Sequence, residues 1–258
     1  MRSKGMSWAV AVVAVLACSS VARADERKFT YSYEAKTLPQ GTWEFEQWAT
    51  LRAHRSVGDV WFLDLREEFE YGLHDRLTVA GYLNLEVESI KNVPGEKDET
   101  ELEFESVSVE LKWKISDPVA DPLGVLFYTE LAAGGDEQEV EFKLVVSKQL
   151  GPVTLAYNLI FELERAKEHG EWERESKIEN TFGASFEFMP GWAVGAELVI
   201  RTPYEQNFKE REDTGAFVGP NIHYFSHSWW VTFTFLTLTR DPDTFEKYEA
   251  RVIVGINF

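Results

Sequence analysis

Cysteine is almost absent from this sequence of 258 residues, in which the single thiol is that of Cys18. One cysteine cannot close an intramolecular disulfide, so a disulfide framework is excluded. No group of His and Cys residues has the spacing of a metal site, and no glycine-rich phosphate loop follows a predicted strand. The sequence therefore predicts no metal, no cofactor and no catalytic residue of these kinds.

Positive charge and long apolar runs are also scarce. The chain has 26 Lys and Arg against 44 Asp and Glu, a net charge of −18, which argues against nucleic acid as a partner. No segment after the N-terminus offers the roughly 20 apolar residues that a membrane-spanning helix needs. Hydrophobic residues make up 44% and aromatic residues 14%, which is too much for a disordered chain. A folded domain is predicted, and any membrane crossing has to be made by strands.

The N-terminus has the pattern of a secretory signal peptide. Two bases, Arg2 and Lys4, precede an apolar run over 8–18, and Ala22-Arg23-Ala24 has the small residues of a cleavage site. We predict a signal peptide over 1–24, export by the Sec pathway and cleavage near Ala24. Its removal takes away three bases and no acid, so the net charge changes from −18 to −21. Lipidation of Cys18 stays open as an alternative.

The remaining chain alternates between apolar and polar residues in about twelve segments. In the third segment, Leu77, Val79 and Leu83 fall on one face, and Thr78 and Asn84 on the other. Most segments are near the 9–11 residues that a tilted membrane-crossing strand requires. The segments run over 42–53, 60–71, 77–88, 101–115, 123–133, 139–149, 153–164, 173–188, 192–200, 217–226, 228–238 and 247–258.

The connections between these segments alternate in length. Links after even-numbered segments are mostly tight, as at Gly151-Pro152 and Pro190-Gly191, whereas several links after odd-numbered segments, such as 89–100 and 201–216, are long and charged. This asymmetry is typical of outer-membrane barrels. We therefore predict an all-β fold: one antiparallel up-and-down transmembrane β-barrel of about 12 strands over 42–258, with both termini periplasmic. Residues 25–41 are predicted to be a periplasmic lead-in. A soluble barrel, the alternative, would turn its apolar face inward.

The last strand ends on an aromatic residue. Its apolar face resembles the closing strand of Gram-negative outer-membrane barrels, in which the terminal Phe and its alternating partners are the assembly signal. This resemblance implies a location in the cell outer membrane, with outer-membrane lipid, lipopolysaccharide and the barrel-assembly machinery as partners. The residues concerned are Tyr248, Val252, Val254, Ile256 and Phe258.

A second resemblance lies at the other end of the predicted barrel. Tyr33 to Glu46, with Leu38-Pro39-Gln40-Gly41 at its centre, resembles the opening of uncharacterised outer-membrane families related to the phenol-degradation-pathway (MetA-pathway) barrel transporters. It implies a β-barrel and a transport role. It supplies no catalytic or binding residue.

In the predicted barrel the charged faces of the strands line the lumen. Acids outnumber bases there, so an open pore would favour cations. We predict a passive channel or transporter for small solutes with a net acidic lumen. The alternative is a closed structural barrel without conduction, in which the charges only pair with one another. The lumen candidates are Glu44, Glu46, Arg52, Asp64, Arg66, Glu68, Glu86, Glu110, Lys112, Lys114, Glu130, Glu141, Lys143, Glu162, Glu179, Glu197, His223 and Arg251.

An outer-membrane lipid hydrolase is the weaker alternative. The only suggestive cluster is His223, Ser226, His227 and Ser228. In a strand, His223 and Ser226 point to opposite faces and cannot form a nucleophile–base pair. We predict that the protein is not an enzyme.

Two polar features remain. Gln47 and Glu67 interrupt the apolar faces of the first two segments, and pairing about Val57 places them opposite each other. Either a β-bulge shifts the parity there, or strands 1 and 2 form a weak homo-oligomer contact. The acidic stretch from Glu96 to Glu105 is predicted to be a solvated charge run, with divalent cations bridging to lipopolysaccharide as the alternative.

Overall fold

The computed structural model describes residues 26–55, 57–95, 97–168, 171–239 and 245–258. The predicted signal peptide, its cleavage site and Cys18 lie outside these residues. Among the described residues, no helix is long and apolar enough to cross a membrane. The strands are β1 (Trp43–Ala53), β2 (Asp59–His74), β3 (Leu77–Lys91), β4 (Glu99–Ser116), β5 (Gly124–Ala133), β6 (Glu137–Leu150), β7 (Val153–Glu168), β8 (Glu171–Met189), β9 (Trp192–Glu205), β10 (Glu210–Arg211), β11 (Gly215–Phe225), β12 (Trp229–Leu238) and β13 (Tyr248–Asn257).

Twelve of these strands close into a barrel. Each pairs antiparallel with its neighbours along the chain, β9 pairs with β8 and β11, and β13 returns to pair with β1. The two-residue β10 forms a small hairpin with β9 above the barrel wall. Closure leaves no strand edge exposed. The predicted all-β, twelve-stranded antiparallel barrel is confirmed.

The barrel wall is apolar outside and polar inside. In β3, Thr78, Tyr82 and Asn84 are buried, whereas Gly81 and Leu83 between them are exposed. The same alternation runs along the other strands because side chains of a strand point to opposite faces in turn. A charged side chain facing lipid near mid-membrane costs about 2–4 kcal/mol for Lys or Arg, so an apolar outer face suits a bilayer. Exposed apolar residues include Val109, Leu131, Phe142, Leu155, Phe182 and Phe233.

The strands are longer than predicted at the long-loop end. The hairpin of β7 and β8 continues its pairing to Glu168 and Glu171, across residues predicted to be loop. There the guanidinium of Arg165 lies 4.4 Å from the ring of Trp172, a cation–π contact that supports the extended hairpin. Charged residues beyond the apolar belt thus stay in the sheet, so the loops at this end are shorter than the sequence suggested.

Residues 26–41, which we call the plug, run inside the barrel. The prediction of a lead-in outside the barrel is wrong for this segment: Phe29, Ala35 and Leu38 are 0% exposed. In a periplasmic position these apolar side chains would remain in water, whereas the lumen removes them from it. The plug turns into β1 at Gly41, whose N–H donates to the carbonyl of Gly72 at the short-turn end.

Candidate functional site

One carboxylate of the barrel wall makes more hydrogen bonds to the plug than any other described side chain. Glu197 of β9 accepts hydrogen bonds from three successive backbone N–H groups, those of Thr30 (2.9 Å), Tyr31 (2.9 Å) and Ser32 (2.8 Å). The hydroxyl of Thr234 donates to the same carboxylate at 2.7 Å. Hydrogen bonds to a charged acceptor contribute about 1.5–3 kcal/mol each. Glu197 is therefore the principal anchor of the plug.

Other wall side chains hold further backbone groups of the plug. Asn158 accepts the N–H of Tyr33 at 2.6 Å and donates to its carbonyl at 3.0 Å. Buried backbone groups need such partners because an unpaired one costs free energy comparable to a lost hydrogen bond. Further bonds run from Ala35 N to Ser147 Oγ (2.8 Å), Leu38 N to Thr78 Oγ1 (2.9 Å), Asn221 Nδ2 to Lys28 O (3.0 Å) and Thr232 Oγ1 to Arg27 O (2.5 Å).

Glycines of the wall make room for the plug at two points. A Cβ at Gly183 of β8 would lie 2.8 Å from ring carbons of Phe29, and one at Gly72 of β2 would collide with the carbonyl oxygen of Pro39. Side chains other than hydrogen at these positions would push the plug away from the wall. The lumen is therefore shaped around this segment.

The short-turn half of the lumen is filled by the plug and by charged side chains. Lys112 lies 2.5 Å from a carboxylate oxygen of Glu70 and 3.1 Å from one of Glu110. The Arg27 guanidinium of the plug lies 3.7 Å from Glu46. None of these five residues is more than 4% exposed. Lys112 and Arg27 offset part of the negative charge of these carboxylates, which is costly to leave unpaired in such a dry interior.

The long-loop half instead contains a cavity of about 330 Å³. Tyr31 and Tyr33 of the plug line it together with Trp48 of β1. Nine carboxyl groups and six bases line it. The charged lining residues are Arg52, Asp64, Arg66, Glu105, Glu130, Glu137, Glu139, Glu141, Lys143, Glu162, Glu164, Lys177, Glu179, Arg201 and Arg251.

The acidic excess is concentrated on one side of the cavity. The arginines opposite are held by carboxylates, as in the pair Arg66–Glu130 at 2.5 Å and the pair Arg201–Glu179 at 2.7 Å. Arg52 likewise lies 2.7 Å from both Asp64 and Glu86. In contrast, four lining carboxylates on β4, β6 and β7 have no ion pair within 4.0 Å in the part of the chain that the structure describes: Glu105, Glu137, Glu139 and Glu164.

Glu105 enters the cavity through a β-bulge. The register of β3 and β4 shifts between Asn84 and Leu85, which pair with Ser106 and Phe104, so Glu105 is the extra residue. Phe104 is 55% exposed on the outside, while Glu105 and Ser106 both line the cavity. The bulge re-aims a carboxylate inward. Assigning Glu105 to a solvated charge run was therefore wrong. The sequence contained a signal of this bulge: the outward apolar residues switch from even to odd positions between Phe104 and Val107.

The predicted lumen residues all lie on the inner side of the wall, but in two groups. Arg52, Asp64, Arg66, Glu130, Glu141, Lys143, Glu162, Glu179 and Arg251 line the cavity, and Glu86 lies behind Arg52. Glu44, Glu46, Glu68, Glu110, Lys112, Glu197 and His223 are packed around the plug, and Lys114 lies near the β4–β5 turn, 4.0 Å from Asp117. Sequence parity located these side chains. The candidate list left out Glu105, Glu137, Glu139, Glu164 and Arg201, which also line the cavity, and the sequence did not predict the plug.

The polar pair on the outer wall is where the sequence placed it. Gln47 of β1 is opposite Glu67 of β2, in a register that continues without a shift from Trp43 to Ala53. The bulge hypothesis is therefore wrong at this point. The Gln47 amide donates to the carbonyls of Trp48 (3.1 Å) and Arg66 (3.2 Å). The weak homo-oligomer contact through β1 and β2 stays a prediction.

The His223 and Ser226 side chains are separated in the fold. His223 lies inside, 2% exposed, with Nδ1 2.7 Å from the hydroxyl of Thr232. Ser226 lies in the turn before β12, where its N–H donates to the carbonyl of Trp229. The structure does not bring this histidine and this serine together.

The C-terminal strand closes the barrel. The backbones of Phe258 and Trp43 exchange two hydrogen bonds of 3.1 Å. Tyr248, Ile256 and Phe258 are exposed on the outer face, as the alternation predicted.

Comparisons with known proteins agree with this architecture. A family model described as a family of unknown function (DUF6662) matches residues 21–258. The COG4313 outer membrane channel from Pseudomonas putida F1 has a TM-score of 0.63 at 12% identity, over 87% of this chain and 98% of that one. The NanC porin has a TM-score of 0.52 at 9% identity, over 84% and 98%. The translocator domain of the autotransporter NalP from Neisseria meningitidis has a TM-score of 0.51 at 11% identity, over 84% and 87%. No curated protein matches the chain. At these identities the similarity concerns the fold.

Proposed function

The chain belongs to this family of unknown function, DUF6662, and we propose that it is an outer-membrane channel for small cationic solutes, gated by its plug. The observation that supports this most directly is the cavity of about 330 Å³ on top of the plug, which is lined by more acidic than basic side chains. Carboxylates that line a pore favour cations over anions. In this conformation the solute path extends from the long-loop end to the plug and stops there.

The fold supports both the location and the class of protein. An apolar outer face and a polar interior suit a bilayer, and two of the proteins with a similar fold are an outer membrane channel and a porin. The exposed C-terminal face that ends at Phe258 is the segment that we propose the barrel-assembly machinery recognises.

The plug can be released without opening the barrel wall. Its backbone N–H groups donate to side chains of the wall, such as Asn158 and Ser147, and its residues 26–41 are not part of the sheet. Each neutral bond of this kind contributes about 0.5–1.5 kcal/mol net. A rearrangement of the plug therefore breaks a limited set of contacts while all twelve strands stay paired.

A reversible tether tests whether the plug gates the lumen. Ala35 N lies 2.8 Å from Ser147 Oγ, so the double variant Ala35→Cys, Ser147→Cys places two thiols next to each other in a mature chain that otherwise has none. We expect ion conductance in planar bilayers to be suppressed when this disulfide is formed and to return with a reductant. The single variant Ser147→Cys, treated in the same way, should show no response to redox conditions.

A closed structural barrel is the second candidate, and the filled short-turn half of the lumen favours it. A variant that lacks residues 27–36 separates the two. Conductance that rises in the deletion variant, with a reversal potential that indicates cation preference, supports the channel. Silence of the reduced double variant and of the deletion variant, both shown to be folded by heat-modifiable gel mobility, would leave only the structural barrel.

A further inference from the structure

Two arginines lie directly opposite each other on the outer face of the β7–β8 hairpin. Arg165 of β7 pairs in register with Arg174 of β8, and both residues are exposed. Like charges directly opposite each other on one face of a sheet destabilise the pairing. Among the side chains that the structure describes, neither arginine has a carboxylate within 4.0 Å. An anion that binds both guanidinium groups would remove this repulsion.

The hairpin separates its charges by sign. Glu164 lies opposite Glu175 on the inner side, whereas Lys167 is the next outward residue of β7 after Arg165. The ammonium group of Lys167 is 3.5 Å from Asp136, but these side chains are 42% and 75% exposed, so the ion pair contributes little. A chain with a net charge of −18 therefore presents three neighbouring bases to the outside at this hairpin.

The neighbouring hairpin carries no charge at the same level. The row of paired residues continues from Arg165 to Gln138 of β6, and from Gln138 to Ala133 of β5. Both of these residues are uncharged. Positive charge in this row therefore belongs to the β7–β8 hairpin and is not shared by its β5–β6 neighbour.

The bases begin where the apolar band ends. The outer face of β7 is apolar or aromatic from Val153 to Leu163, which covers about 25 Å at about 3.3 Å per residue and a tilt of about 40°. This is the height of the apolar band of an outer-membrane barrel. Arg165 is the first outward residue beyond it, and the ring of Trp172, a residue typical of the membrane interface, lies 4.4 Å from its guanidinium. The bases are therefore at the level of lipid headgroups.

A lipid phosphate fits this surface better than a free anion does. A guanidinium group binds phosphate through two parallel hydrogen bonds. Directly below the bases, Phe161, Leu163 and Phe182 are 39%, 37% and 43% exposed and provide an apolar surface for acyl chains. With both termini periplasmic, as the loop lengths predict, this end of the barrel faces the outer leaflet, where the phosphorylated lipid is lipopolysaccharide.

We propose that the outer face of the β7–β8 hairpin binds the lipid A part of lipopolysaccharide. Arg165 and Arg174 hold one phosphate group between them, Lys167 extends the positive surface outward, and the acyl chains lie on Phe161 and Leu163. This goes beyond the proposed function, because the site depends neither on the plug nor on conduction.

Titration with diphosphoryl lipid A tests the site in the full-length mature protein, refolded into detergent so that no lipopolysaccharide accompanies it. Native mass spectrometry counts the bound lipid. We expect saturable binding that weakens about 30-fold in Arg165→Gln, Arg174→Gln, because each base near an anionic lipid surface contributes about a factor of five. Arg165→Lys, Arg174→Lys keeps the charge but loses the paired hydrogen bonds, and its affinity should be intermediate.

The matched control is Lys91→Gln, Lys97→Gln. It removes the same two charges from exposed positions at the end of β3 and in the loop that follows, and it should leave the affinity for lipid A unchanged. Heat-modifiable gel mobility shows that each variant is folded.

Three outcomes would overturn the site. The first is equal affinity for lipid A in the wild type and in the double glutamine variant. The second is phosphatidylglycerol binding of the same strength and with the same loss in that variant, which would indicate a site for any anionic headgroup. The third is displacement of lipid A by an equal concentration of inorganic phosphate, which would show that the apolar surface below the bases takes no part.

Discussion

Both halves of the lumen contain Glu, Lys and Arg side chains, but these side chains are closely packed in the short-turn half and border a cavity in the long-loop half. In the short-turn half, Glu68, Glu70, Glu110 and Lys112 are at most 2% exposed and pack against one another beneath the plug. In the long-loop half, carboxylates such as Glu139 and Glu164 line a cavity and have no base within 4.0 Å among the described residues. An acidic lumen therefore does not by itself indicate an open pore. Charged side chains beside the plug are packed, and those beyond it are available to a solute.

Solvent access explains why both arrangements are stable. Charges removed from water need close partners, because desolvation costs several kcal/mol per ion. The ion pairs that line the cavity are less buried, as in Lys177 and Glu162 with side chains 30% and 12% exposed, so solvent screens them more than it screens the charges around the plug. The four lining carboxylates without a base within 4.0 Å among the described residues lie above the plug, where a solute can reach them, whereas the buried Glu197 beside the plug is satisfied by N–H groups of the plug.

A Lys→Met substitution in each half is expected to give the largest difference in the free energy of unfolding. Lys112→Met leaves Glu70 and Glu110 without their cation in a buried site, which should lower the free energy of unfolding by about 3–5 kcal/mol. The Lys177 side chain is 30% exposed and lies 2.7 Å from Glu162, which is 12% exposed, so Lys177→Met should lower the free energy of unfolding by less, about 1–2 kcal/mol. Urea unfolding followed by tryptophan fluorescence measures both.

The two lysine variants also differ in what they do to ion selectivity. Lys177→Met removes a positive charge from the cavity, so the reversal potential of a plug-deleted channel in a KCl gradient should shift toward stronger cation preference. Equal destabilisation by the two substitutions would mean that the two halves are equally dry, and the comparison between them would be wrong.

Glu197→Ala should release the plug at an intermediate cost. Three N–H groups, those of Thr30, Tyr31 and Ser32, lose their acceptor, and each unsatisfied buried donor costs about 1–3 kcal/mol. Because the plug can leave the wall instead, we expect conductance close to that of the deletion variant and faster proteolysis within residues 26–41.

Glu173→Ala, an exposed carboxylate of β8, is the control for Glu197→Ala. Unchanged protease resistance of residues 26–41 in Glu197→Ala would show that Glu197 does not anchor the plug. Glu197→Gln, which keeps one acceptor oxygen, should fall between the alanine variant and the wild type.

The barrel could be predicted from the sequence because its physical rule is local. Alternation along each strand is visible residue by residue, so Thr78 and Leu83 were assigned to the correct faces without knowledge of their neighbours. The pairing register of the first two strands could also be predicted, because Gln47 lies opposite Glu67 as the sequence indicated. A bulge breaks this rule at one position, which is why Glu105 was placed on the wrong side.

The plug could not be predicted because its partners are distant in the sequence. Phe29 and Tyr33 alternate with polar residues, but the side chains that hold this stretch, such as Asn158 and Glu197, are more than a hundred residues away. Glu197 had the parity of any lumen carboxylate. Only the folded barrel shows that it faces three backbone N–H groups rather than water.

The smallest expected effect lies at the outer edge of the packed half, in the turn between β4 and β5. The N–H groups of Ala120 and Val119 donate to Asp117 and hold the pKa of its carboxyl below the usual value of about 3.9. A depressed pKa means that the stabilisation is present above that usual value and is lost as the pH falls through the folded pKa. Asp117→Asn should therefore lower the urea midpoint slightly at pH 7 and not at a pH below the folded pKa, with only a small difference because the side chain is 45% exposed. Conductance should not change, and a conductance change in Asp117→Asn would show that the packed half extends further than the plug itself.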